Sequence, residues 1–272
     1  MGRIEEALRK AKTAREQQFQ NVPAESDSQR QRGLISTPVE LSPGPEISPI
    51  PPGHIVRLDK ALLREERVIS ALEHDHRVGP YRQLRTQLLK TMRDNSWTTL
   101  AVTSAHKYAG KSLTATNLAI SLSRVGDTSV LLVDLDLNTP SIHEKLNLNP
   151  EKGLVDFLEG NAEFDEIVFN AGIDNLTVLV GRPAGREASE LLASPKLQRL
   201  IQDLYQQNIV NFTIFDLPPI LRNDDAILFA PYADATLIVV EDGVTTNEQL
   251  RQTMQLLRKA NVIGTILNKA RE

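Results

Sequence analysis

Short, unbroken apolar runs recur through the later part of the chain, at about 98–103, 129–133, 177–180, 211–215, 236–240 and 263–267, each rich in Val, Ile, Leu or Phe. They are too short for buried helices and lack the strict alternation of a strand with one wet face. Strands buried on both faces have this character. Helical patterns separate the runs, so the chain is expected to be α/β: a mainly parallel sheet with helices on both faces. Ligands of such sheets sit beyond the carboxyl ends of the strands. The residues that follow each run are therefore the candidates for chemistry.

The first run leads into Ala105-His-Lys-Tyr-Ala-Gly-Lys-Ser112, and a helical segment continues to about Val125. A tight turn between a strand and a helix aims backbone N–H groups at phosphate oxygens, and the helix dipole favours their charge. Lys111 then reaches the outer phosphates, and the Ser112 hydroxyl can ligate Mg²⁺. The strict pattern wants glycine at 105, where this chain has alanine. For Gly-Lys-Ser alone an ordinary helix start is the bland alternative; the strand-to-helix setting favours the loop.

Two more runs end on acids. Val130 to Val133 leads into Asp134-Leu-Asp136, and Phe212 to Phe215 leads into Asp216-Leu-Pro-Pro219. Alternation along an extended backbone places Asp134 and Asp136 on one side. Mg²⁺ takes one or two carboxylates beside phosphate oxygens and water, which suits this number of acids. Any one of these aspartates alone reads better as a cap of the next turn. The three together with Gly110-Lys-Ser112 point to a nucleoside triphosphate site.

The rest of the chain is organised around that unit. Residues 1–20 are charge-rich, with Ile4, Ala7, Leu8 and Ala11 at helical spacing, and predict a short amphipathic helix. Residues 21–58, rich in Pro and Ser, predict a disordered linker, and 59–272 the nucleotide-binding domain. A helical patch is expected near Lys60 to Leu72, and a helix with Tyr81, Leu84, Leu88 and Met92 on one face, ending before Asn95-Ser96. Thr245-x-x-Glu248 has capping-box spacing ahead of a helix carrying Leu250, Met254 and Leu257 on one face. The chain has no cysteine, a net charge of −4 and no long apolar window. These exclude disulfides and thiolate chemistry, argue against general nucleic-acid binding, and predict a cytoplasmic protein without a membrane span.

Taken together, several segments between about 79 and 270 resemble the bacterial tyrosine autokinases of exopolysaccharide synthesis and export, the P-loop NTPases called BY-kinases. Tyr81-Arg-Gln-Leu-Arg-Thr86 is similar to their opening helix, Ser104 to Ser112 to their Walker A loop, and Val133-Asp-Leu-Asp-Leu-Asn-Thr-Pro140 to their Walker A′ motif. Ile214-Phe-Asp-Leu-Pro-Pro219 resembles Walker B, and Gly264-Thr-Ile-Leu-Asn268 the terminal strand. Gly153 to Gly160 and Ala188 to Ala193 resemble two further family segments. The amino-terminal helix and proline-rich linker look most like the free-standing, exosortase-associated members.

The resemblance implies a kinase that moves the γ-phosphate of ATP to tyrosine hydroxyls, recruited to the inner face of the plasma membrane by a membrane-spanning polysaccharide co-polymerase or chain-length regulator. It implies ATP bound by Tyr108, Ala109, Gly110, Lys111, Ser112 and Leu113, with Asn268 on the adenine. Lys111 would neutralise the outer phosphates, Ser112, Asp136 and Asp216 would hold Mg²⁺, and Asp134 would accept the tyrosine proton. Four departures stand out. Lys107-Tyr-Ala109 replaces a Pro-Gly-Glu-like stretch; Gly79 stands where the subunit-packing pattern has glutamate, although Arg82 and Arg85 remain; Asn138 replaces an arginine; and no tyrosine-rich tail precedes Glu272. Substrates in trans are therefore expected, with a homo-oligomer possible and no nucleic-acid partner. A regulatory nucleotide-binding scaffold with weak or no kinase activity is the alternative. A partitioning-type ATPase ranks last, because His106 occupies its signature-lysine position.

Overall fold

The structure, a computed structural model, describes residues 58–72, 75–126, 128–184, 188–206, 210–222 and 224–270, with the backbone of 54–55. The helix expected at 1–20 and most of the expected linker lie outside these residues. The chain divides into one unit at Met1–Leu41 and another at Ser42–Glu272; all that follows concerns the second.

Eight strands form one sheet: β1 (His54–Ile55), β2 (Thr99–Ser104), β3 (Val130–Asp134), β4 (Val168–Asn170), β5 (Leu176–Leu179), β6 (Phe212–Asp216), β7 (Ala235–Glu241) and β8 (Val262–Asn268). Their order is β1-β4-β5-β3-β6-β2-β7-β8. From β5 to β8 every pairing is parallel; β4 runs antiparallel to β5, and β1 parallel to β4. The six apolar runs are the six parallel strands. Strands β1 and β4 were not anticipated: they are two and three residues long, and β1 falls inside the stretch expected to be linker.

The helices are α1 (Lys60–Glu65), α2 (Gly79–Asp94), α3 (Lys111–Ser123), α4 (Ile142–Lys145), α5 (Leu154–Glu159), α6 (Ala188–Leu192), α7 (Pro195–Gln206), α8 (Asp225–Phe229) and α9 (Asn247–Leu256). Each parallel strand sends alternate residues into two cores. Leu100, Val102, Val130, Leu132, Ile214, Leu237 and Val239 pack with α1, α2 and α3. Ala101, Leu131, Val133, Phe215 and Ile238 pack with the α5 to α8 side, where the Phe215 and Phe229 rings meet edge to face at 4.9 Å. Two-sided burial explains why the inner runs are mostly apolar, whereas the edge strand β8 has no fully buried residue and leaves Leu267 exposed, contrary to the two-sided burial expected of its run.

The α3 helix is buried almost all round, because other elements cover it on every side. The Asn117 amide on α3 accepts from the Ser70 N–H at 2.8 Å and donates to the Arg67 carbonyl at 3.1 Å. That clamp fastens the segment after α1 to the helix that opens at Lys111. Arg85 of α2, one of the two arginines kept from the subunit-packing pattern, donates to the Ser121 carbonyl of α3 at 3.0 Å.

Helix α9 corrects one reading of the sequence. Its N-cap is Thr246, which accepts from Gln249 N–H while the Gln249 side chain accepts from Thr246 N–H, so the capping box is shifted by one residue. Thr245 is drawn away to other partners, and Met254 faces outward while Thr253 and Leu257 are buried.

Candidate functional site

Strands β2, β3 and β6 lie side by side, so their carboxyl ends deliver three chain segments to one place. From β2 comes the loop 105–110; from β3 comes Asp134, followed by Asp136; from β6 comes Asp216. Register places Asp134 directly opposite Asp216. The Leu135 N–H donates to the Asp216 carbonyl at 2.9 Å, and the Leu221 N–H to the Ala105 carbonyl at 3.2 Å, stitching the three segments together.

Lys111, first residue of α3, sits at the centre. Its ammonium is 2.7 Å from Asp136 Oδ2 and 3.5 Å from Asp216 Oδ1, and it donates to Ser112 Oγ at 3.0 Å. Burial alone would depress its pKa, but Asp216 and Asp136 outweigh that and hold it above the ordinary lysine value. The sequence reading thus brings Lys111, Ser112, Asp134, Asp136 and Asp216 to one site, all of them buried. Asp134 and Asp136 do not, however, share one face of a continuous strand. The strand stops at Asp134, and Asp136 opens a turn in which its carboxylate accepts from the Thr139 N–H at 3.0 Å.

Asp134 is fully enclosed. Its Oδ2 accepts from the N–H groups of Ser141 at 2.9 Å and Ile142 at 3.0 Å, and its Oδ1 from that of Asp136 at 3.2 Å. Burial, and then the neighbouring Asp216 charge, push its pKa up to about 7, against the pull of those N–H bonds and of Lys111. Asp216 is raised as well, by burial first, while Lys111 draws it down. A carboxyl whose folded pKa exceeds its unfolded value of 3.8 binds more protons when folded, so its contribution to stability is fully present below that value and is lost as pH rises through about 7. The nucleotide-free protein should accordingly lose thermal stability between about pH 5 and pH 8. Asp134→Asn should flatten that slope, and a slope unchanged in the variant would place the titrating group elsewhere.

The loop's own geometry is unusual. Gly110 has φ +96°, and a Cβ there would come within 2.0 Å of Asn268 Nδ2. Gly110→Ala should therefore strain the backbone and displace the Asn268 amide, lowering nucleotide affinity by about tenfold, measurable by calorimetry. Tyr108 also has a positive φ, 69°, in a residue type for which the left-handed conformation costs about 1–2 kcal/mol. Its ring is exposed, with the Lys107 ammonium 5.0 Å from the ring centroid. Of the other tyrosines, Tyr81 and Tyr232 are half-buried, and the side chain of Tyr205 lies outside the described residues.

Four consecutive carbonyls of the loop accept side-chain hydrogen bonds: His106 from Ser104 Oγ at 2.8 Å, Lys107 from His106 Nδ1 at 2.9 Å, Tyr108 from Lys269 Nζ at 2.7 Å and Ala109 from Asn268 Nδ2 at 2.9 Å. Asn268, expected on the adenine, thus has one amide hydrogen committed to the loop. His106 Nε2 also meets Thr245 Oγ1 at 2.9 Å, and Lys269 is paired with Glu241 at 2.9 Å. Glu241 and Lys269 carry no motif, and Thr245 reads in the sequence only as a helix cap; the adjacency of β7 and β8 brings them here. Asn138, the residue in place of arginine, donates to Asp225 Oδ2 at 2.7 Å, and Ser189 Oγ donates to Asp225 Oδ1.

The donor set fits a hard divalent cation. Both Asp216 oxygens are buried without a hydrogen bond, and Asp136 and the Ser112 hydroxyl stand beside the same ammonium. Among the described residues no cluster of three or more His, Cys, Asp or Glu forms a closed metal cage. Magnesium does not require one, since phosphate oxygens and water complete its shell.

The chain is similar to known proteins in both sequence and fold. The CobQ/CobB/MinD/ParA nucleotide binding domain family matches residues 100–272. The tyrosine-protein kinase YwqD of Bacillus subtilis is 32% identical over 190 residues, covering 69% of this chain and 79% of that protein. The succinoglycan biosynthesis transport protein ExoP of Rhizobium meliloti is 36% identical over 180 residues, which is 62% of this chain and 22% of that larger protein. The kinase domain of the Escherichia coli tyrosine kinase ETK superposes with a TM-score of 0.70 at 25% identity, covering 80% of this chain and 89% of that one. With the family match spanning most of the chain and a tyrosine-protein kinase 32% identical over 79% of its own length, the chain belongs to the bacterial tyrosine-protein kinases within the CobQ/CobB/MinD/ParA nucleotide-binding family.

Proposed function

We propose that this protein is an ATP-dependent protein-tyrosine kinase acting in exopolysaccharide or capsule biosynthesis and export. The observation that carries the reading is the convergence of Lys111, Asp136, Asp216 and Asp134 beside a phosphate loop, in a chain whose relatives include named tyrosine kinases.

Transfer of a phosphoryl group demands mainly positioning and charge stabilisation. Residues 108–113 cradle the triphosphate with backbone N–H groups and the start of α3. Lys111 exchanges Asp136 for phosphate oxygens as ATP binds, since one ammonium cannot serve both fully. Ser112, Asp136 and Asp216 would hold Mg²⁺, which supplies charge neutralisation at the outer phosphates. Asp134 takes the proton from the tyrosine oxygen; a carboxyl with a pKa of about 7 is matched to that task near neutrality. Because its oxygens already accept from residues 136, 141 and 142, access for a hydroxyl requires the 138–141 turn to shift. Asn268 reads the adenine edge with the amide atoms it does not use on the loop.

Substrates are tyrosines of other proteins or of a second copy. A membrane-spanning polysaccharide co-polymerase is the proposed recruiting partner, a reading supported by the succinoglycan biosynthesis transport protein among the relatives. A non-catalytic nucleotide-binding scaffold is the second reading, favoured by one observation: a tyrosine in the loop's left-handed turn. Incubation of the purified protein with Mg-ATP and the cytoplasmic part of such a co-polymerase tests the choice. Phosphotyrosine on either protein is the expected result. Tight MgATP binding with no phosphotyrosine on any partner would leave the scaffold instead.

A further inference from the structure

We propose that Lys269 is a positioning residue of the phosphate loop: its ammonium fixes the left-handed turn at Tyr108 and thereby aims the loop's amide N–H groups at the phosphates. The inference rests on the reading of 105–112 as a nucleotide loop.

The argument begins with the backbone. A non-glycine residue at φ +69° persists only where its surroundings over-determine it. Here they do so through the carbonyls. Lys269 Nζ holds the Tyr108 oxygen at 2.7 Å and Asn268 Nδ2 holds the Ala109 oxygen at 2.9 Å, both from the end of β8. In a trans peptide the carbonyl of one residue and the N–H of the next point in opposite directions. Pinning the oxygens of Tyr108 and Ala109 therefore turns the N–H groups of Ala109 and Gly110 to the other side of the loop. The bonds to the His106 and Lys107 oxygens treat the N–H groups of Lys107 and Tyr108 in the same way. Each of the four amides is thus turned away from the group that holds the preceding carbonyl, and amides fixed in this way in a turn are what bind anions.

Lys269 is itself held. Glu241 at the end of β7 pairs with it at 2.9 Å, and the Asp242 N–H donates to the Asn268 carbonyl at 3.0 Å. Lys269 also has a positive φ, 59°, which carries the chain round at the end of the strand. With glycine at 108 the left-handed turn would be intrinsically accessible and would need no such clamp. Lys269 thus compensates for the tyrosine in the loop.

A double-mutant cycle with MgATP affinity, read by calorimetry, tests this. Lys269→Met should weaken binding about five- to tenfold, and Lys269→Arg, which keeps a charged donor, should restore it to within about twofold. In a Tyr108→Gly background Lys269→Met should cost less than about twofold. An equal loss in both backgrounds would mean that Lys269 acts on phosphate directly or through long-range charge, and would overturn the proposal. Thermal unfolding without nucleotide provides an independent cycle. Lys269→Met should lower the midpoint more beside Tyr108 than beside glycine, and additive shifts would overturn the proposal. Failure of the unmodified protein to bind MgATP would count against the nucleotide reading, while the unfolding cycle would still judge the clamp.

Discussion

Lys111→Met should lower MgATP affinity and phosphotyrosine formation together, by roughly 10²- to 10³-fold. The ammonium is the one charged donor of the phosphate site paired with both Asp136, at 2.7 Å, and Asp216, at 3.5 Å. Its loss also leaves three buried carboxylates facing one another without it, a change of the kind that destabilises by about 3–5 kcal/mol. The nucleotide-free variant should therefore melt lower at pH 8 than the parent, with the gap closing toward pH 5 as Asp134 and Asp216, whose pKa values burial raises, take up protons. Lys111→Arg keeps the ion pairs and separates the two effects. It should hold the fold while still impairing transfer, because a planar guanidinium does not replace a compact ammonium. Near-normal MgATP affinity in Lys111→Met would remove the loop from the nucleotide site altogether.

The second large effect falls on kcat alone. Asp134→Asn should reduce phosphoryl transfer by about 10²- to 10⁴-fold, the range associated with loss of a general base, while MgATP affinity stays within about threefold. An asparagine can present its carbonyl oxygen to the N–H groups of Ser141 and Ile142, so the 141–142 end of the turn keeps its cap and only the longer bond from the Asp136 N–H is lost. If affinity and the melting midpoint fall together while kcat follows them, Asp134 serves as a structural cap of the turn and the proton goes elsewhere. The two variants are complementary: Lys111→Met is expected to lower both binding and transfer, Asp134→Asn transfer alone.

Much of this site could be read from the chain itself, and the reason is local. The strand-loop-helix unit at 99–123 and the acids after β3 and β6 are each contiguous, and a strand's last residue lies near its loop whatever else the protein does. Two-sided burial left the inner parallel strands as mostly apolar runs, while the edge strand β8 is only partly buried. The short strands β1 and β4 left no such trace, because two or three residues do not establish a period. The displaced cap of α9 failed to show for a different reason. Thr245 and Thr246 are both competent N-caps, and it is contact with His106 and the Glu241 N–H that claims the first of them.

Sequence alone singled out Gly110, Lys111 and Ser112 as the candidates for phosphate binding and Asp134, Asp136 and Asp216 as the accompanying acids, since the residue types and the runs they follow are local features of the chain. Only the tertiary structure decided how a tyrosine is tolerated at φ +69° and which side chains hold the four loop carbonyls. Lys269 and Asn268 are about 160 residues from the loop they fasten, and Glu241 reaches it only because β7 separates β2 from β8. Hydrogen bonds between side chains and backbone carry no periodicity and no composition bias, so their partners are fixed by the order of strands in the sheet.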